Sequence, residues 1–342
     1  MKYILLLVML PLFAAAQSAE QNIQGLWVKV KAEMKDGSRI VDHHGCGMDF
    51  IKYTFGADGM ANVSQDVLFD DFIVRYSLKK DSLIIGATLY DIISLTKDTL
   101  KLSFFVPGAE DKQLPVYIFA KVQQLNPPAT ATFNVVLKDS VYQANNVLFP
   151  VSKDSFNKLM YGMATRFDDG TLKMSFIIDK KGHLKQYTVL EADSVSGSVA
   201  KIAGNAFGDL SWVPARKNNL PVNTLVQVTL KLSHKNYVNT LNIQYPFLRK
   251  APYPPIDADE AEAAQQYFKD AINQLNSGHS DKALELVGKC IEIDNIYLNA
   301  YELRAFINNS LGKPKEACKD WSILAGLGQV EAAQKLAKYC KN

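Results

Sequence analysis

The chain is poor in the residues that mark the commonest specialised classes. Its 342 residues include only four cysteines and five histidines. Cys46, Cys290, Cys318 and Cys340 stand too far apart for any zinc-ligand spacing. Net charge is small as well: the formal value is +3, with no dense basic patch, so nothing supports nucleic-acid binding. After Phe13 no long uncharged apolar run occurs, and no transmembrane segment is expected in the mature chain. His183 and His234 have no serine or cysteine nearby in a nucleophile-elbow context, so no catalytic site and no cofactor are expected. Asp168 and Asp169, the nearest thing to paired catalytic carboxylates, precede Gly170 and read first as turn residues.

What is present points to a multidomain α+β protein. A hydrophobic share of 48% is ample for packed cores, and the length suggests two to three domains. Residues 1–16 have the pattern of a signal peptide: Lys2, an apolar run from Ile4 to Phe13, then Ala14-Ala15-Ala16 before Gln17. No cysteine follows the alanines, so a lipid anchor is not expected. The expected location is periplasmic or secreted; an uncleaved N-terminal anchor is the competing reading.

Residues 22–125 read as β throughout. Val28, Val30 and Ala32 alternate with Lys29, Lys31 and Glu33, and short apolar runs follow at turn-punctuated intervals up to Val122. Seven or eight such strands predict an antiparallel barrel or sandwich. Gly25-Leu26-Trp27, with Cys46 and the Ala57-Asp58-Gly59 turn, resembles the opening of lipocalin-like domains. That resemblance implies a tryptophan closing one barrel end under a basic residue of the last strand, here Lys121. It also implies a possible small apolar ligand inside, against the alternative of a barrel filled by its own side chains. His43, His44 and Cys46 form the one metal-capable cluster. It is a weak candidate, because neighbouring residues of an extended chain point to opposite faces.

Residues 132–233 carry the most legible run. Gly170 to Asp179 and His183 to Leu190 flank a Lys-Lys-Gly182 turn, a hairpin signal. Val199, Ile202, Ala203, Ala206 and Leu210 then recur at helical spacing, and Trp212-Val-Pro214-Ala215 leads to a last strand, Val222 to Leu232. Phe133 to Leu137 predicts a further strand and Ser155 to Met163 a further helix. The run resembles the C-terminal domain of TonB-type energy-transducing proteins on Gly170, Phe176, Asp179, Gly182, Trp212, Pro214, Ala215, Pro221 and Val222. In that family the last strand lies at a sheet edge and takes up a partner peptide through backbone hydrogen bonds. The resemblance implies such an edge at Leu225, Gln227, Thr229 and Lys231, against an ordinary half-buried strand as the alternative. The implied partner is an envelope protein or peptide, such as an outer-membrane receptor.

Residues 234–256 read as a proline-rich linker around Tyr245-Pro246 and Ala251-Pro-Tyr-Pro-Pro255. From 257 to 342 the pattern is helical, with Asp257 or Asp259 as first cap. Gly278 and Gly312, and likewise Ala283 and Ala317, stand 34 residues apart, which resembles the tetratricopeptide period. Five helices are expected, packed on another part of the chain or on a partner. Antiparallel helices joined at Gly326-Leu-Gly328 bring Cys318 and Cys340 together, which predicts a disulfide rather than two buried thiols; Cys290 reads as a core residue. The expected function is therefore non-enzymatic protein interaction in the cell envelope, with a small-ligand carrier as the alternative.

Overall fold

The computed structural model describes residues 19–43, 50–104, 108, 110–122, 129–163, 169–235, 238–248 and 253–340. The signal-like segment, His44, Cys46 and Asp168 lie outside them. The described residues fall into two compact units. One takes the chain up to Lys31, residues 50–104, and Tyr117 to residue 248. The other takes Ala32 to residue 43, residues 108 and 110–116, and residues 253–340. Among the described residues, no helix is long and apolar enough to cross a membrane.

Eight antiparallel strands close the barrel of the first unit: β1 (Gly25–Met34), β2 (Lys52–Phe55), β3 (Met60–Ser64), β4 (Phe72–Lys79), β5 (Ser82–Ile85), β6 (Thr88–Leu95), β7 (Thr99–Ser103) and β8 (Pro115–Lys121). The chain is not β throughout, because residues 19–23 are helical and Asp111–Gln113 form a 3₁₀ turn. That first helical turn seals one end. Trp27 Nε1 donates to Ile23 O at 2.6 Å, and Lys121 Nζ donates to Asn22 O at 2.7 Å while lying 5.1 Å from the centre of the Trp27 ring system. Lys121 thus takes the place expected of it.

The two faces of β1 meet different cores. Trp27 sets the inward parity, so Lys29 follows it and is buried, its ammonium 5.1 Å from the Tyr117 ring centre. Val28 points outward into a second apolar core, and Val30 is 45% exposed. Period-2 alternation identifies two faces of a strand but not which one is inside.

Against the barrel's outer wall packs an α+β layer built from β9 (Ala131–Asn134), β10 (Asp139–Gln143), α1 (Phe156–Gly162), β12 (Gly170–Ile178), β13 (Leu184–Asp193), α2 (Gly197–Gly208), β17 (Asn223–Lys235) and β18 (Val238–Gln244). Short pairings join β11 (Val151–Ser152) to β14 (Trp212–Val213), and β15 (Arg216–Lys217) to β16 (Leu220–Pro221). The large sheet runs β13-β12-β17-β10-β9, with β18 also on β17. Leu172, Met174 and Phe176 on β12 stand beside Leu230, Val228 and Val226 on β17, and all six are buried. Phe176 meets Phe207 of α2 at 4.9 Å and Trp212 at 5.8 Å, so Trp212 is a core aromatic. Small residues let α2 approach: a Cβ on Gly204 would come within 2.3 Å of the Tyr187 ring. Gly182 closes the β12–β13 turn at φ +81°, where a Cβ would fall 2.2 Å from Trp212 O. Two expectations need correction here. Residues 135–138 form a turn rather than the end of a strand, and the expected linker 234–256 contains the end of β17 and all of β18. Leu241 is buried and Ile243 packs on the core, which holds this segment in the sheet.

The barrel wall and this layer share one apolar core. The loop between β3 and β4 enters it: Val67, Leu68 and Phe69 are fully buried. Asp66 Oδ1 accepts Leu68 N at 2.8 Å, Phe69 N at 3.0 Å and the Tyr245 hydroxyl at 2.7 Å. Ser64 Oγ donates to Phe69 O at 2.7 Å. Lys52, with a fully buried side chain, donates to Val67 O at 3.0 Å. Its ammonium lies 3.2 Å from Asp70 Oδ1, an ion pair by distance without hydrogen-bond alignment. Burial pulls the Lys52 ammonium below its ordinary pKa against Asp70, Asp66 and Asp71. Burial likewise pushes Asp66 up, opposed first by the Tyr245 hydroxyl.

The second unit is helical: α3 (Ala258–Asn276), α4 (Ser280–Ile293), α5 (Leu298–Ser310), α6 (Pro314–Gly326) and α7 (Val330–Tyr339). Of the two candidate caps, Asp257 is the one that caps α3, accepting Glu260 N at 2.8 Å. Gly278 and Gly312 adopt positive φ just past the ends of α3 and α5, the backbone counterpart of the 34-residue period. Arg304 forks onto buried Asp320 through Nε and Nη2, the shortest contact 2.7 Å. Residues from between the barrel strands cap α7: Val330 N donates to Ser38 Oγ at 3.0 Å, and Arg39 N donates to Gly328 O at 3.0 Å. Cys318 and Cys340 form the expected disulfide, while Cys290 is a buried free thiol.

Two stability measurements follow from these contacts. Tyr245→Phe removes a hydrogen bond to a buried carboxylate and should cost about 1.5–3 kcal/mol, read from the denaturant midpoint of the first unit. Replacing Cys318 and Cys340 by alanine opens a loop of sequence separation 22, with an expected cost of about 3 kcal/mol. Hydrogen exchange should place that loss in α6 and α7.

Candidate functional site

The expected peptide-binding edge is not an edge. β17 is flanked by β12 along one side. On the other side β10 pairs with it at 223–225, and β18 pairs with it from Thr229 to Lys235. Leu225 therefore stands between Ile177 and Gln143, Thr229 between Lys173 and Gln244, and Lys231 between Thr171 and Asn242. Gln227 lies opposite Ser175, in the short reach between β10 and β18. The physical reason is a hairpin: Val238–Gln244 turns back onto β17 and takes the backbone groups that a partner would have used.

Three strands end the sheet instead, and they differ in how open they are. β13 is ten residues long, but its register with β12 shifts twice, leaving Lys185 and Leu190 without a partner on β12. Bulges and charges of this kind blunt an edge. β9 has only four residues. β18 is regular over all seven pairs, carries no charged side chain, and has β17 as its one partner among the described strands. Val238, Thr240, Asn242 and Gln244 along it are exposed. Its alternation of Val, Thr, Leu and Ile with polar residues was the available sequence signal, masked by the prolines that follow.

The metal reading fails at His43. Nδ1 lies 2.6 Å from Pro254 O and Nε2 lies 3.0 Å from Asp294 Oδ1, so both ring nitrogens face oxygens that only accept. Neither is left to ligate. Among the described residues, no group of three His, Cys, Asp or Glu side chains is placed to hold a metal.

The remaining polar candidates hold turns. Asp169 Oδ1 accepts His234 N at 2.7 Å. Asp179 Oδ1 accepts Lys181 N and His183 N, both at 2.9 Å. Within the barrel, Tyr53 lies 5.0 Å from Phe119 and Phe55 lies 4.9 Å from Tyr76, ring centre to ring centre. Trp27, Leu83, Leu100 and Leu102 complete this interior. Burial, then the neighbouring Tyr90 and Tyr117, push the Tyr53 phenol above its ordinary pKa. These side chains are buried together inside the barrel.

The His43 geometry has a pH consequence. Burial lowers its affinity for a proton, but Asp294, Pro254 O and Asp42 together outweigh that and hold its pKa above 6.5. A raised folded pKa contributes stability that is complete below 6.5 and is lost as pH rises through the folded value. NMR titration of the His43 ring should give a midpoint above 6.5, and Asp294→Asn should bring it down. A midpoint at or below 6.5 in the intact chain would show that the doubly bonded imidazolium does not form. Comparison of the chain with protein-family models, with curated proteins and with solved structures returns no match.

Proposed function

We propose that the protein is a non-enzymatic interaction module of the cell envelope, periplasmic or secreted, that takes up an extended segment of an envelope protein by strand addition at β18. The observation that carries this is the state of that edge: seven residues in unbroken register, with no charge and no bulge. Folded proteins normally protect such an edge, because its unpaired N–H and C=O groups are a template for another strand. The hydrogen bonds that bind the segment come from the backbone, and the alternating side chains of β18 select among sequences.

The TonB-like resemblance supports the mode of recognition and the compartment, with the pairing strand moved outward by one. An outer-membrane receptor is one partner of this kind. The 34-residue helical period supports a second protein-binding surface in the tail. The aromatic packing among the buried side chains of the barrel supports a scaffold role for the barrel over a carrier of a small apolar ligand.

The test is binding of the mature protein to an array of ten-residue segments from envelope proteins, repeated with a Thr240→Lys, Asn242→Lys double variant. Lysines on an edge oppose pairing, so affinity for β-forming segments should fall about tenfold with an unchanged thermal midpoint. Unaltered affinity, or binding that the helical tail alone reproduces, would remove β18 from the reading.

A further inference from the structure

The end of the sheet away from β18 carries a second surface of different chemistry. Three turns meet there: residues 135–138 between β9 and β10, residues 179–183 between β12 and β13, and the Asn218-Asn219 turn between β15 and β16. Asn223, at the start of β17, joins two of them. Its Oδ1 accepts Lys180 N at 3.0 Å, and its Nδ2 donates to Asp139 Oδ2 at 3.1 Å and to Ser140 O at 3.0 Å. Lys180 Nζ donates to Asp139 Oδ2 at 3.0 Å. The third turn is brought in by Lys217, whose ammonium is 6.0 Å from the Tyr142 ring centre on β10.

One of these turns breaks the usual rule for exposed loops. Turns favour Gly, Pro, Asn, Asp and Ser, yet the first reads Val135-Val136-Leu137-Lys138. Val135 is 78% exposed, Val136 79%, and the preceding Phe133 69%. Leu220, at the third turn, is 67% exposed. These exposed side chains are divided between the first and the third turn. Around them stand Lys138, Lys180, Lys181, Arg216 and Lys217. The acids on the same turns are Asp139, which pairs with Lys180, and Asp179, which is buried. A whole-chain charge of only +3 makes this local excess of cations notable.

We propose that this end of the sheet docks on an anionic phospholipid surface, the apolar tips entering the headgroup layer and the cations lying against the phosphates. Protruding apolar side chains set among cations match the two signals that peripheral membrane binding requires, shallow apolar insertion and electrostatic attraction. The charge sign selects anionic lipid over neutral lipid. Exposed apolar side chains divided between separate turns suit a deformable layer better than a single protein pocket. Because β18 covers the other end of β17, the lipid contact and strand addition occupy separate places, and the protein can present its edge while held at a membrane.

The experiment is flotation of the full mature chain with vesicles of phosphatidylcholine alone, and of phosphatidylcholine with an equal part of phosphatidylglycerol. Binding is expected to the mixed vesicles only, weakening as salt is raised. Val135→Ser with Val136→Ser should reduce it about tenfold. Lys138→Glu with Lys181→Glu should reduce it by at least as much. Both pairs lie on exposed turns, and circular dichroism with peptide binding at β18 checks that the sheet is intact. No flotation with the mixed vesicles, equal flotation with neutral ones, or full binding by either double variant would overturn the proposal. So would a result in which these substitutions abolish capture of a protein partner and leave vesicle binding untouched. Failure of peptide binding at β18 with vesicle binding retained would count against strand addition alone.

Discussion

The first unit depends on a short loop that is polar in its backbone bonding and apolar in its side chains. Residues 64–71 send Val67, Leu68 and Phe69 into the core shared by the barrel wall and the α+β layer. A loop in an apolar interior normally leaves backbone groups unpaired. Here the Asp66 carboxylate takes two of the N–H groups, while Ser64 and the Lys52 ammonium take two of the carbonyls. The cost is a buried cation and a largely buried carboxylate, whose pKa values move toward the neutral forms. The arrangement is tolerable because each charge faces several dipoles or counter-charges.

The same carboxylate determines what the sheet exposes. Tyr245 follows directly on β18, and its hydroxyl is the side-chain partner of Asp66. The bond ties the end of β18 to the loop of residues 64–71, and β18 in turn covers the half of β17 from Thr229 onward. The strand expected to be open is closed by the segment that anchors the two layers. The open edge is displaced to β18 itself. An edge held this way at its last residue has less freedom to fray than a terminal strand, and a prepared edge loses less conformational entropy when a partner segment pairs with it.

Local signals were legible in the sequence, and choices among alternatives were not. Gly-x-Trp placed the barrel seal and its lysine, the spacing of Val199 to Leu210 placed α2, Asp257 placed the start of α3, and the antiparallel pairing of the last two helices placed the disulfide. Each of these depends on residues close in sequence or on one helical hairpin. The misassignments share a different cause. The edge status of β17 depends on a hairpin partner that the nearby prolines disguised. His43 looked like a ligand because its neighbours are metal-capable, but its true neighbours are Pro254 and Asp294, more than two hundred residues away. Burial of Lys52 had no sequence signal, since a lone lysine at the start of a strand reads as solvated.

The three sheet ends show that charge placement, more than apolarity, separates protected backbone from available backbone in this fold. β13 has exposed Val189 and Leu190, yet its bulges and its Lys173–Glu191 pair leave no uninterrupted, uncharged stretch as long as β18. β18 has the opposite character, polar but uncharged outward residues on an unbroken ladder. The turns at the far end are the reverse again: apolar tips with most of the neighbouring charge of one sign. An even distribution of the same residues would give a surface with no preferred partner. Their segregation sets an uncharged, regular ladder at one end of the sheet and apolar side chains among cations at the other.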